Sequence, residues 1–333
     1  MSPVLAVDGG NTKTLAAVAD AEGRTLGLGR AGRADIYNAA SPEEAIEAVA
    51  AAVGEALTAA GTAPGQLEAA VFSLAGADWP EDFVLLERSL RDRLGLAVAP
   101  LVVNDAIGAL RGGSPDWTGI SVVSGTYNAV GARRADGAVF HLGFWPDGAG
   151  GRDLARAGLR AVYHADLGMG PPTALTARAL ELFGAGDAID LLHAFTRRGG
   201  LAEHEGDRLA PVVLDVADEG DAVARAIVEE KGHVLGSQAR ACAARIELPL
   251  AGARVVLAGG VFGHPTERLA AATMAELPGA RAVRHLAPPI TGAVLLALDR
   301  IGVTADGAAV AAGLPKAVPD GRSAAWAGSP SKA

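Results

Sequence analysis

The sequence predicts an α/β protein in which two mixed sheets carry helices on their faces. Strand-like and helix-like segments alternate along most of the chain, and one strand–glycine turn–strand unit occurs twice. The length of 333 residues fits two domains. We therefore expect a two-domain molecule whose halves share one internal pattern.

The first unit opens the chain. An apolar segment at residues 4–7 predicts a strand that runs directly into Asp8, Gly9 and Gly10. A second apolar segment at residues 15–19 follows, and then a further turn and a short third strand. The glycine turn is therefore predicted to lie in a β-hairpin.

The second unit has the same layout. A predicted strand at residues 120–124 leads into Gly125 and Thr126, and strands at the following alternating run and at 138–142 complete it. A single glycine turn is also an ordinary surface turn. Two such turns with matching flanks indicate an internal duplication, and together they can hold the two ends of one triphosphate.

The remaining segments alternate between helices and strands. Ser41 and Pro42 favour the start of a helix, which Gly61 ends. The further predicted strands are 69–74, 101–104, 253–258 and 281–285, and the further predicted helices are 81–94, 106–111, 266–276 and 290–302, with a helical region between 151 and 245.

The first glycine turn has the composition of a phosphate site. Its glycines let backbone N–H groups approach an anion without a Cβ in the way. Asp8 at the strand end can hold Mg²⁺ through water, because Mg²⁺ keeps most of its own waters. The Walker pattern does not apply, since Lys13 leads into a strand instead of a helix. The candidate phosphate contacts that follow the glycines are Asn11, Thr12 and Lys13.

Four segments resemble the actin/hexokinase/Hsp70 ATPase superfamily, and within it the N-acetylglucosamine kinase group, which also contains activator ATPases of acyl-CoA reductases and dehydratases. They are residues 8–14 and 123–126 (phosphate motifs), 102–106 (the strand end with the catalytic base) and 255–261 (the adenosine motif). The resemblance implies two ribonuclease H-like, actin-like ATPase domains with an active-site cleft between them, and it implies ATP and Mg²⁺ as cofactors. The implied nucleotide contacts are Asp8 (also through Mg²⁺), Gly9, Gly10, Asn11, Thr12, Lys13, Gly125, Thr126, Ala217, Gly259, Gly260 and Val261.

The domain organisation follows from this resemblance and from composition. We expect an N-terminal domain at 1–113, a C-terminal domain with a helical insertion at 114–290, and a last helix at 291–303 that packs back toward the first domain. Gly, Pro, Ser and Ala dominate the tail at 304–333, which is therefore expected to be mobile.

Asp105 is the candidate catalytic residue. It follows an apolar strand, and open α/β sheets place ligands at the carboxyl ends of their strands. Phosphoryl transfer to an alcohol needs a carboxylate that accepts the hydroxyl proton. By itself the pattern also fits an aspartate that only caps the helix at 106–111. The resemblance implies the catalytic base.

The resemblance also implies an acceptor site. Asn38 matches an asparagine that contacts the sugar in sugar kinases, Gly76 lies in a loop that lines the same pocket, and Asn104 precedes the base. Asp147 keeps one acid of a Gly-Asp-Glu-Gly-Ser motif, but Gly148 stands where that motif has Glu. The change removes one acceptor and leaves the identity of the sugar open.

Composition argues against several other classes. The net charge of −9 does not fit a nucleic-acid binder, and no apolar stretch of membrane-spanning length occurs. The single cysteine, Cys242, excludes internal disulfides. The segment 27–32 fits the dinucleotide pattern G-x-G-x-x-G, but helical signals begin only at Pro42, so that a dinucleotide site is not expected. The simple expectation is a cytoplasmic protein.

Two functions from different classes fit these features. The first is an ATP-dependent kinase that phosphorylates a hexosamine (N-acetylglucosamine or glucosamine) at the 6-hydroxyl, with a homodimer left open. The alternative is an activator-type ATPase or an ATP-dependent regulatory protein without sugar transfer. Activators hold a [4Fe–4S] cluster with cysteines from each of two chains, and Cys242 alone cannot supply the usual pair. We therefore expect the kinase.

Overall fold

The computed structural model describes residues 3–143 and 147–315, which form two five-stranded mixed sheets covered by helices. The strand order of the first sheet is β3-β2-β1-β4-β5, with β1 antiparallel to β2 and parallel to β4. Its strands are β1 (Val4–Gly9), β2 (Thr14–Ala19), β3 (Thr25–Ala31), β4 (Ala69–Leu74) and β5 (Leu101–Asn104).

The second sheet repeats this arrangement. Its strands are β6 (Gly119–Ser124), β7 (Asn128–Arg133), β8 (Val139–Leu142), β9 (Arg254–Ala258) and β10 (Arg281–His285). Their order is β10-β9-β6-β7-β8, with β6 antiparallel to β7 and parallel to β9. Each strand of the first sheet thus has an equivalent in the second sheet, β1 matching β6, β2 matching β7 and so on to β5 and β10. The predicted α/β class and the internal duplication are confirmed.

The helices also follow the prediction, with ends that differ by a few residues. They are α1 (Pro42–Ala60), α2 (Pro80–Leu94), α3 (Asp105–Gly113), α4 (Gly151–Asp166), α5 (Leu175–Phe183), α6 (Ala188–Thr196), α7 (Leu209–Asp218), α8 (Ala222–Arg245), α9 (Arg268–Ala275), α10 (Ile290–Arg300) and α11 (Gly307–Ala312). Helices α4 to α8 make up the helical region of the second half. In the part of the chain that the structure describes, no helix is long and apolar enough to cross a membrane.

Helix α1 explains the glycine pattern that resembles a dinucleotide motif. The helix packs on β3, and Gly27 and Gly29 face its backbone. A Cβ added at Gly27 would lie 2.2 Å from the carbonyl oxygen of Ala56, and a Cβ added at Gly29 would lie 1.9 Å from the carbonyl oxygen of Ala52. These glycines therefore allow a helix to lie close to a strand, and no helix starts at them.

Helices α3 and α10 cross at their glycines. An added Cβ at Gly292 in α10 would lie 2.1 Å from the carbonyl oxygen of Gly108 in α3. Arg111 and Asp299 join the same two helices through paired hydrogen bonds of 2.7 and 3.0 Å. Helix α10 packs on the first sheet, whereas α3 also contacts the second sheet, where Gly113 lies against a β9 side chain. The α3–α10 pair is therefore the packed joint between the two sheets.

The segment after α10 is packed, in contrast to the mobile tail expected from residue 304. Val310 in α11 is 1% exposed and Leu314 is 4% exposed, and both belong to the apolar cluster around α10. Asp306 caps α11 by accepting a hydrogen bond of 3.0 Å from the N–H of Ala308. Val310 lies in α11, and Leu314 follows the end of the helix at Ala312. Residues 316–333 lie outside the described part of the chain.

Candidate active site

The carboxyl ends of β1, β4 and β5 lie side by side at one edge of the first sheet. The three strands are parallel: Asp8 pairs with Ser73, and Leu74 pairs with Asn104. Asp8, the loop after β4 and Asp105 therefore meet at this edge, which is where open α/β sheets hold their ligands.

The first glycine turn is anchored to two neighbouring loops. Within the turn, the N–H of Gly10 donates to the Lys13 carbonyl at 2.9 Å. From the two loops, the N–H of Ala34 donates to the Gly10 carbonyl at 3.1 Å, and the N–H of Ala75 donates to the Gly9 carbonyl at 2.9 Å. A Cβ at Gly9 would lie 2.6 Å from the Cβ of Ala34, so that only glycine fits there. The turn is thereby preorganised, as a phosphate site requires.

The side chains of this turn suit an anion and a cation side by side. The pKa of Asp8 is raised to about 7, chiefly by burial and then by the charge of Asp105, whereas the charge of Lys13 lowers it. Burial lowers the pKa of Lys13, and the charge of Arg30 adds to that effect. The Oδ1 atom of Asn11 is buried without a hydrogen-bond partner in the protein, whereas Thr12 is exposed.

The donor set fits a Mg²⁺ ion that keeps its own waters. Among the described residues, no group of three His, Cys, Asp or Glu side chains could hold a metal ion directly. Mg²⁺ commonly takes one or two carboxylates and its remaining ligands from water and phosphates. Asp8 is one such carboxylate, and a cation beside it would offset the repulsion from Asp105.

The second glycine turn and the expected adenosine turn are in direct contact. The N–H of Val261 donates to the Ser124 carbonyl at 3.0 Å, and the N–H of Gly151 donates to the Gly125 carbonyl at 2.8 Å. Gly259 has a φ of +94°, and a Cβ there would lie 2.4 Å from the Ser124 carbonyl oxygen. The carbonyl of Thr126 accepts a hydrogen bond of 3.1 Å from α4. The structure thus brings two predicted nucleotide segments together, and the start of α4 packs against them.

The other two predicted adenosine contacts differ in exposure. Gly260 is exposed, and no atom lies within 4 Å of a Cβ added there, so a nucleotide has room beside it. Ala217 is fully buried in the same apolar cluster as Val261. Its methyl group packs inside the protein and not at an open surface.

Asn104 and Asp105 have separate roles at the start of α3. The Oδ1 atom of Asn104 accepts from the N–H of Ala106 at 3.0 Å and is the cap of the helix. Asp105 Oδ1 accepts a hydrogen bond of 2.8 Å from the same N–H, so the cap does not depend on Asp105 alone. The pKa of Asp105 is raised to about 6. Burial is the largest cause and the charge of Asp35 also raises the pKa, whereas the backbone hydrogen bond from Ala106 lowers it.

Asn104 also fixes a carboxylate that the sequence interpretation did not single out. Its Nδ2 atom donates to Asp78 Oδ1 at 3.0 Å, and the whole residue is only 2% exposed. The pKa of Asp78 is raised to about 8, chiefly by burial and then by the charges of Asp105, Asp35 and Asp82. Asn104 is enclosed and positions Asp78 rather than presenting an open amide.

The loop after β3 turns Asp35 inward and Asn38 outward. Asp35 is 4% exposed, while Asn38 is exposed and donates from Nδ2 to Asp35 Oδ2 at 2.7 Å. Gly76 lets the neighbouring loop approach, since a Cβ there would lie 2.7 Å from the backbone nitrogen of Ile36 and 3.1 Å from Asp35 Oδ1. Asp35 is therefore the enclosed polar side chain of this loop, whereas Asn38, the predicted sugar contact, lies at its surface. The only available signal was the position of Asp35 and Asp78 just after strand ends.

Asp147 lies on the loop before α4, with an exposed side chain. Its carbonyl accepts a hydrogen bond of 2.8 Å from Gln238 Nε2, which fixes the loop. A Cβ at Gly148 would lie 2.5 Å from the carboxylate of Asp153, which itself bonds the N–H of Gly150 at 3.0 Å. The space for a side chain at 148 is thus occupied by the acid that caps α4.

Two sheets of one repeated topology, two glycine turns and a carboxylate at a parallel strand end define the class of actin-like ATPase folds. The chain belongs to the BadF/BadG/BcrA/BcrD ATPase family, whose pattern matches residues 5–297. The predicted class of enzyme, an ATP-dependent phosphotransferase, is confirmed.

Named relatives agree with this membership. The chain is similar to the N-acetylmuramic acid/N-acetylglucosamine kinase of Clostridium acetobutylicum, with 27% identity over 268 residues, covering 79% of this chain and 87% of the relative. A structure assigned as an N-acetylglucosamine kinase, from Chromobacterium violaceum, has a TM-score of 0.65 at 24% identity, covering 89% of this chain and 99% of that one. The ROK family glucokinase from Streptomyces griseus, in complex with glucose and AMPPNP, has a TM-score of 0.56 at 21% identity, covering 88% and 97%. These two structures confirm the predicted fold.

Proposed function

We propose that the protein transfers the γ-phosphoryl group of ATP to the 6-hydroxyl of a hexosamine, N-acetylglucosamine or glucosamine. The position of Asp105 carries the proposal: it lies at the end of a parallel strand, beside Asp8 and the first glycine turn. The similarity to an N-acetylmuramic acid/N-acetylglucosamine kinase supports an amino sugar as the acceptor.

The nucleotide is assigned to the two glycine turns. The two glycine turns and the Lys13 ammonium are assigned to the phosphates, and the backbone near Gly259 and Gly260 is assigned to the nucleoside. Mg²⁺, held through water by Asp8, spreads the charge of the phosphates when it is bound. The protein supplies position and charge, which provide most of the catalysis in phosphoryl transfer.

Asp105 is assigned as the general base. Its pKa of about 6 keeps it ionised at neutral pH, yet makes it a stronger proton acceptor than an ordinary carboxylate. It accepts the proton of the attacking hydroxyl as the oxygen bonds to phosphorus and ADP leaves. Asn104, by capping α3, holds the backbone that places Asp105 at the cleft.

The alternative, an activator-type ATPase, finds no support in the single cysteine. Cys242 is fully buried, with its sulfur 3.7 Å from the Val130 carbonyl, and burial raises its pKa to about 12. A cluster ligand must be an accessible thiolate. Cys242 packs in the core instead.

Sugar-dependent ADP formation tests the proposal. Purified protein with Mg·ATP is assayed against glucosamine, N-acetylglucosamine, N-acetylmuramic acid, glucose and N-acetylmannosamine. We expect ADP formation well above background with at least one amino sugar. ADP formation that is independent of every sugar would favour the alternative ATPase. Absence of ADP formation, together with Mg·ATP binding by calorimetry, would indicate a regulatory protein.

A further inference from the structure

Strand β8 of the second sheet contacts the first half of the chain at the loop after β4. The His141 ring of β8 lies edge-to-face on Phe83 of α2, with ring centres 6.2 Å apart. Its Nδ1 atom lies 4.0 Å from Oδ1 of Asp78 in that loop. Gly143, just after β8, lies so close that an added Cβ would be 2.2 Å from the same oxygen. The two halves therefore meet at this contact as well as at the α3–α10 joint.

The Nδ1 atom of His141 is buried and makes no hydrogen bond with any residue that the structure describes. The Asp78 oxygen at 4.0 Å is beyond the roughly 2.7–3.2 Å that a hydrogen bond requires. Buried polar atoms in native proteins nearly always have a partner, so an exception calls for a reason. A relative movement of about 1 Å between β8 and the loop would bring the two atoms into hydrogen-bonding range.

The protonation states of the two side chains suit such a bond. The pKa of Asp78 is raised to about 8, chiefly by burial, so its carboxyl group is largely protonated at neutral pH. Burial lowers the pKa of His141, so its ring is neutral, and the tautomer with the proton on Nε2 leaves Nδ1 as an acceptor. The carboxyl group of Asp78 can therefore donate to Nδ1 of His141 without leaving a charge unpaired.

Asp78 is connected to the start of α3. The Nδ2 atom of Asn104 donates to Asp78 Oδ1 at 3.0 Å, and Oδ1 of Asn104 accepts from the N–H of Ala106 at 3.0 Å. Asp105 lies between Asn104 and Ala106 in the chain. Fixing Asp78 from the second half therefore also restrains the backbone that carries the proposed base.

We propose that His141 is a positioning residue for Asp105: when the cleft closes on its substrates, Asp78 donates a hydrogen bond to Nδ1 of His141 and thereby fixes Asn104 and the base. This inference rests on the proposed kinase function. Closure of a cleft commonly completes the catalytic arrangement of an enzyme. A misplacement of about 1 Å at a reacting group can cost about 10²-fold in rate. A bond that forms only on closure should therefore affect kcat more than the binding of ATP.

The variants His141→Phe and His141→Asn test the inference as a matched pair. Phenylalanine keeps a ring against Phe83 but has no nitrogen, whereas asparagine keeps a polar atom near the position of Nδ1. We expect His141→Phe to lower kcat by about tenfold or more, with KM for Mg·ATP changed by less than about threefold. His141→Asn should keep kcat within about threefold of the wild type. His193→Asn, which removes an exposed histidine of α6, is the control and should leave both values unchanged.

A double-mutant cycle tests whether His141 acts through Asp78. In an Asp78→Ala background, His141→Phe should lower kcat by less than about twofold further, because the partner is already absent. If the two substitutions lower kcat independently, so that their effects multiply, the inference is overturned, since His141 would then act by another route.

The outcomes separate the inference from the proposed function. If the wild type phosphorylates a sugar, a fully active His141→Phe, or equal losses of kcat in the Phe and Asn variants, would overturn the inference and leave the kinase in place. If no sugar is phosphorylated, both fail.

Thermal melting identifies a variant with a folding defect, and a crystal structure of the wild type then decides without any substitution. In crystals with Mg·ADP and the amino sugar that the protein phosphorylates, we expect about 2.7–3.0 Å between His141 Nδ1 and an Asp78 carboxyl oxygen. A distance that stays at 4.0 Å or more in that complex would overturn the inference.

Discussion

Asn104 and Asp105 are adjacent in the chain and both accept from the N–H of Ala106, but their other contacts differ. Asn104 is enclosed, caps α3 and holds Asp78, whereas Asp105 follows the parallel strand β5 and has its pKa raised by burial. Removing each side chain should therefore affect a different property of the protein.

Asp105→Asn is expected to lower kcat by about 10²- to 10⁴-fold, because proton transfer loses its base. The binding of Mg·ATP, measured by calorimetry, should change by no more than a few-fold. Asn104→Ala is the matched comparison and is expected to cost about 1 kcal/mol of stability through loss of the cap. Near-normal turnover in Asp105→Asn with a lowered melting temperature would contradict the assignment.

The limits of sequence reasoning are visible at this scale. Asp8 and Asp105 could be predicted because each directly follows an apolar strand. Asp35 and Asp78 could not, because their approach depends on two loops that meet only through the pairing of β1 with β4 and through the space at Gly76. In the same loop, Asn38 matched the expected amide, but the backbone turns Asp35 inward instead.

At the scale of elements, the crossing of α3 and α10 carries the contact between the two sheets. It depends on glycines more than 180 positions apart in the chain, Gly108 and Gly292, so no local pattern predicts it. The strands and helices themselves follow local patterns, such as the Ser41 cap and the Gly61 stop of α1. Elements were therefore predictable, whereas their closest contacts were not.

Gly292→Ala is expected to destabilise the protein by about 1–3 kcal/mol, because the new methyl group meets the backbone of α3. Gly54→Ala in α1 is the matched control: no atom lies within 4 Å of a Cβ there, and the better helix propensity should stabilise by about 0.5–1 kcal/mol. Urea unfolding measures both changes. Equal effects of the two substitutions would show that α3 and α10 are not in close contact.

At the scale of the whole molecule, the two halves share one topology but carry different groups. The first half contains the acids at the cleft, and the second contributes the second glycine turn, the adenosine turn and the helical region. The packed segment at 304–315 adds Val310 and Leu314 to the first half. The predicted domain boundaries after residues 113 and 290 remain a proposal. They fall at the end of α3 and the start of α10, the two helices that join the sheets.

The acids at the cleft make the stability of the whole molecule depend on pH. Folding raises the pKa of Asp78 from 3.8 to about 8. A carboxyl with a raised pKa holds its proton more tightly in the folded state, so its contribution is full below about pH 4 and is lost as the pH rises toward 8.

Asp78→Asn should therefore unfold at a higher temperature than the wild type at pH 8, with a gain of about 1–3 kcal/mol that shrinks toward pH 5. Thermal unfolding across this range measures the difference. Asp92→Asn, which removes an exposed charge, should follow the wild-type profile. Coincident profiles of wild type and Asp78→Asn would indicate that Asp78 is not buried among like charges.

The central claim is that this cleft transfers phosphate from ATP to the 6-hydroxyl of an amino sugar. Phosphorus NMR of wild-type protein with Mg·ATP and glucosamine tests it most directly, since an ester at the primary hydroxyl couples to the two protons of its methylene group. The account predicts a new sugar-phosphate signal split into a triplet, growing with the signal of ADP. Release of inorganic phosphate alone, or a phosphate ester at another hydroxyl, would contradict it.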